Sequence, residues 1–322
     1  MNGAGFPLDA EVASRIELQR ATVGPELEAA VEAVLATRRS NPSTAATLAR
    51  TDVERLVAAY GLGTAPDLAL LTLPVATRLA QPPISDYRVG AVGLDADGDL
   101  VLGANLEFPP ADLGSTIHAE GFASLRARAR GRVLRVIALT EAHPCAHCRQ
   151  TLTESAGVDD LELIDPLGHV LRLADLYPWP FSPSALGVEV DDPSRSAWPG
   201  LEVASDPLPD EAAEALLAAG RRAHAPYSGC PSAAVLRLRD GRLLAAGCVE
   251  SVSFNPTITA LQAALVELAA VGGSGADVEA AWLGRVPGGA VDPEAGARAL
   301  LAAVAPGIEL ASIDLRPGEP GR

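Results

Sequence analysis

An internal repeat constrains this chain more than any other feature of its sequence. When the sequence is compared with itself at an offset of 143 positions, identical residues coincide within a shared order of predicted helix, strand, turn, strand and helix. Self-similarity of this kind predicts two copies of one structural unit. With 322 residues, the chain is long enough to hold two domains. The coinciding pairs are Ser85 and Ser228, Val92 and Val235, Gly98 and Gly241, and Glu107 and Glu250.

The first copy shows alternating helix and strand patterns, which indicate an α/β domain. Asp97-Gly98 predicts a tight hairpin turn between two strands. Pro82-Pro83 predicts the end of the preceding helix, because proline cannot continue it. The predicted order is a helix over 68–80, strands over 88–94 and 100–104, a helix from 118 to about 130, a strand over 133–140, a helix over 145–156 and a strand over 161–165.

Changes in composition divide the chain into four predicted segments. Residues 1–64 are predicted to form a small region of short helices without catalytic groups. The first copy occupies 65–183, a linker rich in turn residues follows over 184–205, and the second copy occupies 206–322.

Two short motifs in the first copy have the spacing of a catalytic zinc site. They are His118-Ala119-Glu120 and Pro144-Cys145-Ala146-His147-Cys148. A catalytic zinc keeps three protein ligands and leaves its fourth position to water. His118, Cys145 and Cys148 meet that count, and Glu120 is left as the catalytic group that transfers protons. An H-x-E motif followed by P-C-x-x-C is typical of zinc-dependent nucleobase deaminases.

A structural zinc site or a redox pair is the alternative interpretation of the cysteine motif. A structural zinc needs a fourth protein ligand, but Cys230 and Cys248 lie far apart without a histidine at ligand spacing. The sequence therefore favours one catalytic zinc ion per chain. In the second copy, Thr259 and Leu261 stand where the first has His118 and Glu120, so that copy is predicted to fold without catalysing.

Charge and composition exclude several classes of function. The formal net charge is −16, which disfavours nucleic acid as a partner. All 25 basic residues are arginine, so neither Schiff-base chemistry nor a phosphate-binding loop lysine is available. We expect no signal peptide, no membrane span and a cytoplasmic protein with reduced thiols.

The motifs together resemble the cytidine deaminase family, in particular its long, duplicated, dimeric bacterial type. The resemblance covers roughly residues 65–270, and Gly121 is a departure, because a bulkier polar residue is common there. It implies two α/β/α sandwich domains, each a mixed sheet with helices on both faces, after a small helical N-terminal region. The resemblance is strongest in Val89-Gly90-Ala91, Gly103-Ala104-Asn105-Leu106-Glu107-Phe108, His118-Ala119-Glu120, Pro144 to Gln150, Pro226-Tyr227-Ser228 and Phe254-Asn255-Pro256-Thr257.

The same resemblance implies further site residues. Asn105 and Glu107 would bind the sugar hydroxyls, Tyr87 would line the pyrimidine or ribose pocket, and Phe181 would lie in the loop over the base. Each has a structural alternative: a turn residue for Asn105, a surface carboxylate for Glu107, and core packing for the two aromatic residues. The resemblance also implies a homodimer in which the second copy of the partner borders each active site.

The reaction implied is the zinc-dependent hydrolytic deamination of cytidine and deoxycytidine to uridine and deoxyuridine, with release of ammonia, in pyrimidine salvage. Three alternatives stay open. The chain could act on a nucleotide, guanine or an aminopyrimidine, it could be a zinc scaffold without activity, or it could edit a polynucleotide. The stretch 102–116 contains no basic side chain, which favours a nucleoside over a phosphorylated substrate.

Overall fold

The computed structural model describes residues 7–140, 143–205 and 208–318. The start expected for the second copy, residue 206, lies outside the described residues. In this part of the chain, no helix combines the length and the apolar character needed to cross a bilayer.

The first half of the chain builds a six-stranded mixed sheet. Its strand order is β1-β3-β2-β4-β5-β6, and only β4 and β5 run parallel. The strands are β1 (Thr47–Leu48), β2 (Gly90–Asp95), β3 (Leu100–Ala104), β4 (Leu134–Leu139), β5 (Glu162–Ile164) and β6 (Val170–Arg172). The helices are α1 (Ala10–Arg38), α2 (Arg50–Ala59), α3 (Ala65–Thr77), α4 (Ala119–Ala129), α5 (Ala146–Leu152) and α6 (Leu173–Leu176).

Both faces of this sheet are covered by helices. Successive strand residues point to opposite faces, and in β2 Ala91 and Val92 belong to two different hydrophobic clusters. Ala91 packs in a cluster with Ala119 and Ala123 of α4. Val92 packs in the other cluster, which contains much of α3. The predicted α/β/α arrangement is confirmed.

The second half repeats this plan in a five-stranded sheet. Its order is β7-β11-β10-β8-β9, again with one parallel pair, β10 and β11. Strands β9, β8, β10 and β11 thus correspond to β3, β2, β4 and β5. The elements are β7 (Glu202–Ser205), α7 (Asp210–Arg221), β8 (Ala233–Leu238), β9 (Leu243–Gly247), α8 (Ala260–Ala270), β10 (Val278–Arg285), α9 (Glu294–Val304) and β11 (Leu310–Arg316).

Three segments differ from the expectations. The N-terminal region contains one 29-residue helix, α1, and adds β1 to the edge of the first sheet. The linker expected over 184–205 ends in a strand, because β7 pairs with β11 at the edge of the second sheet. Helix α5 ends at Leu152 rather than near 156, because the following amides bond three residues back and tighten the last turn.

A glycine places the start of α4 directly on the first sheet. A Cβ atom at Gly103 of β3 would lie 2.5 Å from the carbonyl oxygen of Ala119 and 2.7 Å from the amide nitrogen of Ala123. A side chain at this position would therefore push α4 away from the sheet. Because His118 caps α4, Gly103 also fixes the distance of that histidine from the strand.

The two copies meet through α4 and α8, and buried residues of both belong to one hydrophobic cluster. Arg126 of α4, which is 1% exposed, pairs with Glu267 of α8, which is 6% exposed. The same guanidinium also donates to the carbonyl oxygen of Ala45. Burial raises the pKa of Glu267, and the Arg126 charge opposes that shift. A buried ion pair of this kind specifies how the two helices face each other.

We expect Glu267→Ala to lower the free energy of unfolding by about 3–5 kcal/mol, because it leaves the Arg126 charge buried without a partner. Chemical denaturation measures this loss. The double variant Arg126→Met/Glu267→Leu should recover most of it. Arg55→Ala, which removes an exposed ion pair with Asp52, should change stability by about 0–1 kcal/mol. If Glu267→Ala lowered the free energy of unfolding as little as Arg55→Ala does, the buried ion pair would not have the stabilising role given to it here.

Candidate metal centre and substrate site

Three potential metal ligands converge at the N-terminal ends of α4 and α5. The Nδ1 atom of His118 lies 3.4 Å from the sulfur of Cys145 and 3.4 Å from that of Cys148. The two sulfurs are 3.7 Å apart. His118 and Cys145 are the N-cap residues of their helices, and neither makes a side-chain capping bond. Their side chains are therefore free to bind a metal.

The donor set and its spacing fit a zinc ion. Tetrahedral bonds of about 2.3 Å to sulfur and about 2.0–2.1 Å to nitrogen imply about 3.8 Å between two sulfurs and about 3.5–3.6 Å between sulfur and nitrogen. The separations in the protein agree with these values within about 0.2 Å. One imidazole and two thiolates are also the ligand chemistry that zinc prefers.

The two thiols strongly affect each other's ionisation. The Cys148 thiol and the His118 ring hold the pKa of Cys145 at about 3. The Cys145 sulfur, together with burial, raises the pKa of Cys148 well above its usual range. A second thiolate at this distance needs a compensating positive charge, which a divalent cation supplies.

Glu120 lies in the first turn of α4, two residues after His118, and is 4% exposed. Burial raises its pKa, and the His118 charge opposes that shift. A carboxyl group whose pKa is moved towards neutrality can both accept and donate a proton at neutral pH. The residue therefore has the position and the chemistry of a proton-transfer group.

Arg149 and Gln150, which follow Cys148, brace the surrounding loops; for Arg149 the sequence suggested either support of the thiolate charge or a surface role, and for Gln150 it suggested no individual role. Arg149 donates to the carbonyl oxygens of Pro144 (2.7 Å) and Leu176 (2.8 Å). The buried Gln150 donates to the carbonyl oxygen of Phe181 at 2.7 Å and accepts from the Tyr177 hydroxyl at 2.7 Å. Both lie in the stretch Pro144 to Gln150 that carries the resemblance.

Asn105 and Glu107 lie on the segment that leads towards the ligand histidine. Leu106, between them, forms two backbone hydrogen bonds with Ile117, the residue before His118. The Asn105 amide accepts from the Val89 backbone at 2.9 Å and donates to the Tyr87 carbonyl oxygen at 2.8 Å. Asn105 thus has a structural role in holding the chain before β2.

Glu107 is also held by neighbouring groups. It accepts from the backbone amides of Ile84 (2.7 Å) and Ser85 (3.0 Å) and from the Ser85 hydroxyl. Burial by itself would raise its pKa, but these three donors outweigh it and lower the pKa. An ionised carboxylate has about four acceptor positions, so one remains for a further hydroxyl donor.

The two aromatic candidates are both exposed side chains. Tyr87 is 58% exposed and borders a groove of about 850 Å³ whose other walls include α1 and α3. Phe181 is 45% exposed and lies in the loop that Gln150 holds. Neither side chain is buried in the core, which argues against the alternative that Tyr87 and Phe181 serve only in core packing.

A cavity of about 340 Å³ adjoins the ligand set and is walled by both copies. His118 and Cys148 contribute from the first copy, and residues 255–258 contribute from the second copy of the same chain. Gly121 also lines it, and a Cβ atom there would meet only Ile117, at 4.0 Å. Helix α4 is regular across this position, so the departure at Gly121 leaves the helix start undisturbed.

The second copy keeps the architecture of the site without its metal ligands. Thr259 caps α8 by accepting from the Gln262 amide, and Leu261 is fully buried. Glu250 is held as Glu107 is, by the amides of Tyr227 (3.0 Å) and Ser228 (3.1 Å) and by the Ser228 hydroxyl. The equivalent positions therefore serve capping and packing.

Comparison with known proteins agrees with this duplicated site. Residues 67–162 and residues 175–296 each match a family described as the cytidine and deoxycytidylate deaminase zinc-binding region. A curated protein of Vibrio cholerae serotype O1 (strain M66-2), named cytidine deaminase, is 32% identical over 270 residues. The match covers 84% of this chain and 90% of that protein.

Solved structures are similar to parts of the chain. The crystal structure of cytidine deaminase from Mycobacterium tuberculosis matches with 29% identity and a TM-score of 0.34, covering 37% of this chain and 99% of that chain. The corresponding enzyme of Mycobacterium leprae matches with 28% identity and a TM-score of 0.33, covering 36% of this chain and 100% of that chain.

Proposed function

The chain belongs to the cytidine deaminase family, a family of zinc enzymes, and from that premise we propose that it deaminates cytidine and deoxycytidine to uridine and deoxyuridine. The observation that carries the proposal is the triangle of His118, Cys145 and Cys148 with Glu120 buried beside it. Release of ammonia and consumption of water balance the reaction.

His118, Cys145 and Cys148 would hold the zinc ion, one per chain. When bound, zinc lowers the pKa of a coordinated water from 15.7 towards about 7 and so supplies a nucleophile at neutral pH. Three protein ligands are the number that a catalytic zinc site would require.

Glu120 performs the proton transfers in this proposal. Addition at C4 of the pyrimidine needs a proton on N3, and Glu120 carries it there from the attacking water. Departure of ammonia needs a proton on the exocyclic nitrogen, and Glu120 carries it from the new C4 hydroxyl. Because the same carboxyl group acts in both steps, it must gain and lose a proton once in each, and its raised pKa favours this.

Asn105, Glu107, Tyr87 and Phe181 would bind the nucleoside. The free acceptor position on Glu107 suits a sugar hydroxyl, and the Asn105 amide shapes the adjoining backbone. Tyr87 and Phe181 offer exposed aromatic surface to the base or the ribose. We assign catalysis to residues 65–183, and to the second copy the support of that site.

The test is a substrate screen on the purified, zinc-loaded protein. Cytidine and deoxycytidine should lose their absorbance band and release one ammonia per molecule. Deoxycytidylate, cytosine, guanine and single-stranded DNA serve as the comparison set. Absence of turnover on both nucleosides, or faster turnover of a phosphorylated or polymeric substrate, would refute the proposal.

We further propose a cytoplasmic homodimer that acts in pyrimidine salvage. Four free cysteines suit a reducing compartment. Trp179 is 92% exposed and Phe254 is 64% exposed, and a partner chain would cover such aromatic surface. Light scattering should give twice the chain mass, 66 kDa for a chain of 33.0 kDa. A monomeric mass with full activity would exclude a site that depends on the partner.

A further inference from the structure

A fully buried carboxylate follows the zinc-binding helix and has no part in the chemistry above. Glu154 is 0% exposed and lies two residues after α5 ends, six residues beyond Cys148. A buried charge is costly unless hydrogen bonds and an opposite charge compensate it. The groups that compensate the buried Glu154 carboxylate therefore indicate its role.

Every side-chain partner of Glu154 comes from the second copy. Its Oε2 atom accepts from the His224 ring at 3.0 Å and from the Tyr227 hydroxyl at 2.6 Å. Its Oε1 atom accepts from the backbone amide of Val252 at 2.6 Å. The carboxylate thus joins the end of α5 to three points of the domain that has no metal ligands.

His224 extends this contact back to the first copy. Its Nδ1 atom lies 3.5 Å from Asp191, and Asp191 pairs with Arg128 in the last turn of α4. Burial lowers the pKa of His224, but its hydrogen bonds to Asp191 and Glu154 outweigh burial and raise it. Contacts run without a break along Arg128, Asp191, His224 and Glu154.

This row of four side chains connects the far ends of the two helices that carry the metal ligands. Helix α4 presents His118 and Glu120 at its N-terminal end and Arg128 at its C-terminal end. Helix α5 presents Cys145 and Cys148 at its N-terminal end and leads into Glu154. Mutation of side chains that support metal ligands from outside the coordination sphere typically lowers metal affinity or activity by about 10–100-fold.

The second copy is also fixed beside the ligand set itself. The Thr151 hydroxyl of α5, which donates to the carbonyl oxygen of His147 at 2.9 Å, also lies 3.3 Å from the carbonyl oxygen of Pro256, and Gln262 donates to the carbonyl oxygen of Ser115 at 3.0 Å. These bonds and that of Val252 to Glu154 hold the segment 252–262, part of which walls the cavity next to His118 and Cys148.

We propose that Glu154 is a positioning residue for the zinc centre, through which the second copy sets the relative placement of α4 and α5. The proposal rests on the assignment of His118, Cys145 and Cys148 as ligands. It gives the second copy a defined task within the same chain: His224 supplies the ring nitrogen and Val252 the amide that hold the carboxylate.

The test compares Glu154→Ala with Glu154→Gln in the full-length protein. The readouts are zinc retention against a chelator, the absorption spectrum after substitution with Co²⁺, and kcat and KM. We expect Glu154→Ala to lose zinc about 10–100-fold faster, to shift the cobalt–thiolate bands and to lower kcat by a similar factor. Glu154→Gln keeps one acceptor oxygen, which can serve Val252 or Tyr227 but not both, and should recover part of each loss.

Glu162→Ala is the matched control, because Glu162 is an exposed carboxylate on the neighbouring strand β5. If Glu154→Ala does not fold, Glu154→Gln and His224→Gln carry the test, and each must weaken zinc retention. Unchanged zinc retention and cobalt spectra alongside a lower melting temperature would overturn the proposal in favour of a purely structural role. Absence of cobalt–thiolate bands in the wild-type protein would instead refute the ligand assignment.

Discussion

Glu120→Ala is expected to retain its zinc ion and its fold while losing turnover by at least 10²–10⁴-fold. That range is typical of general acid–base catalysis by one side chain, and here one carboxyl group serves two steps. Steady-state kinetics on cytidine, with metal analysis and circular dichroism of the same sample, measures the effect. The fold should survive because Glu120 makes no ion pair among the described contacts.

The control is Glu54→Ala, which removes a carboxylate on α2 that is 60% exposed. It should keep the wild-type rate. A Glu120→Ala variant with a rate close to wild type would mean that another group transfers the protons. A variant that lost both rate and zinc would mean instead that Glu120 belongs to the metal coordination.

Cys148→Ala is expected to lose zinc and activity together. It removes one of three protein ligands, and the remaining imidazole and single thiolate offer too few donors for a stable zinc site. Metal analysis after dialysis should fall from about one zinc per chain to a small fraction of that. Activity should fall in proportion to the zinc content.

Cys248→Ala provides the matched comparison. Cys248 is a buried free thiol in the second copy, outside the ligand set. Its replacement should leave zinc content and kcat unchanged. Tightly bound zinc at full stoichiometry in Cys148→Ala would exclude Cys148 as a ligand.

The sequence predicted that His118, Cys145 and Cys148 would converge, because two short motifs mark them, and its self-similarity predicted the duplicated architecture. Cys145 and Cys148 lie about one helical turn apart at the start of α5, so their spacing in the sequence already indicates a pair of metal ligands. The hairpin at Gly98 is equally local: the residue adopts a φ of 95°, which glycine tolerates best. Roles for Asn105, Glu107, Tyr87 and Phe181 came from resemblance and stay predictions.

Long-range contacts left no such signal. The partners of Glu154 lie 70 to 98 residues further along the chain, so no local sequence motif predicts these hydrogen bonds. Strand β7 is only four residues long, and its pairing partner β11 is the last strand of the chain. Short helices were expected over 1–64, yet α1 continues through Gly24 and Pro25, because its buried face packs on the domain.

The ion pair between Arg126 and Glu267 has a consequence for the history of the molecule. The two residues are 141 positions apart, the same offset that separates His118 from Thr259, so they occupy equivalent places in the two copies. In a symmetric pair of identical chains, this place would face itself, and two arginines or two glutamates would repel. A single chain that contains both copies can place opposite charges there, and the two halves are then no longer interchangeable.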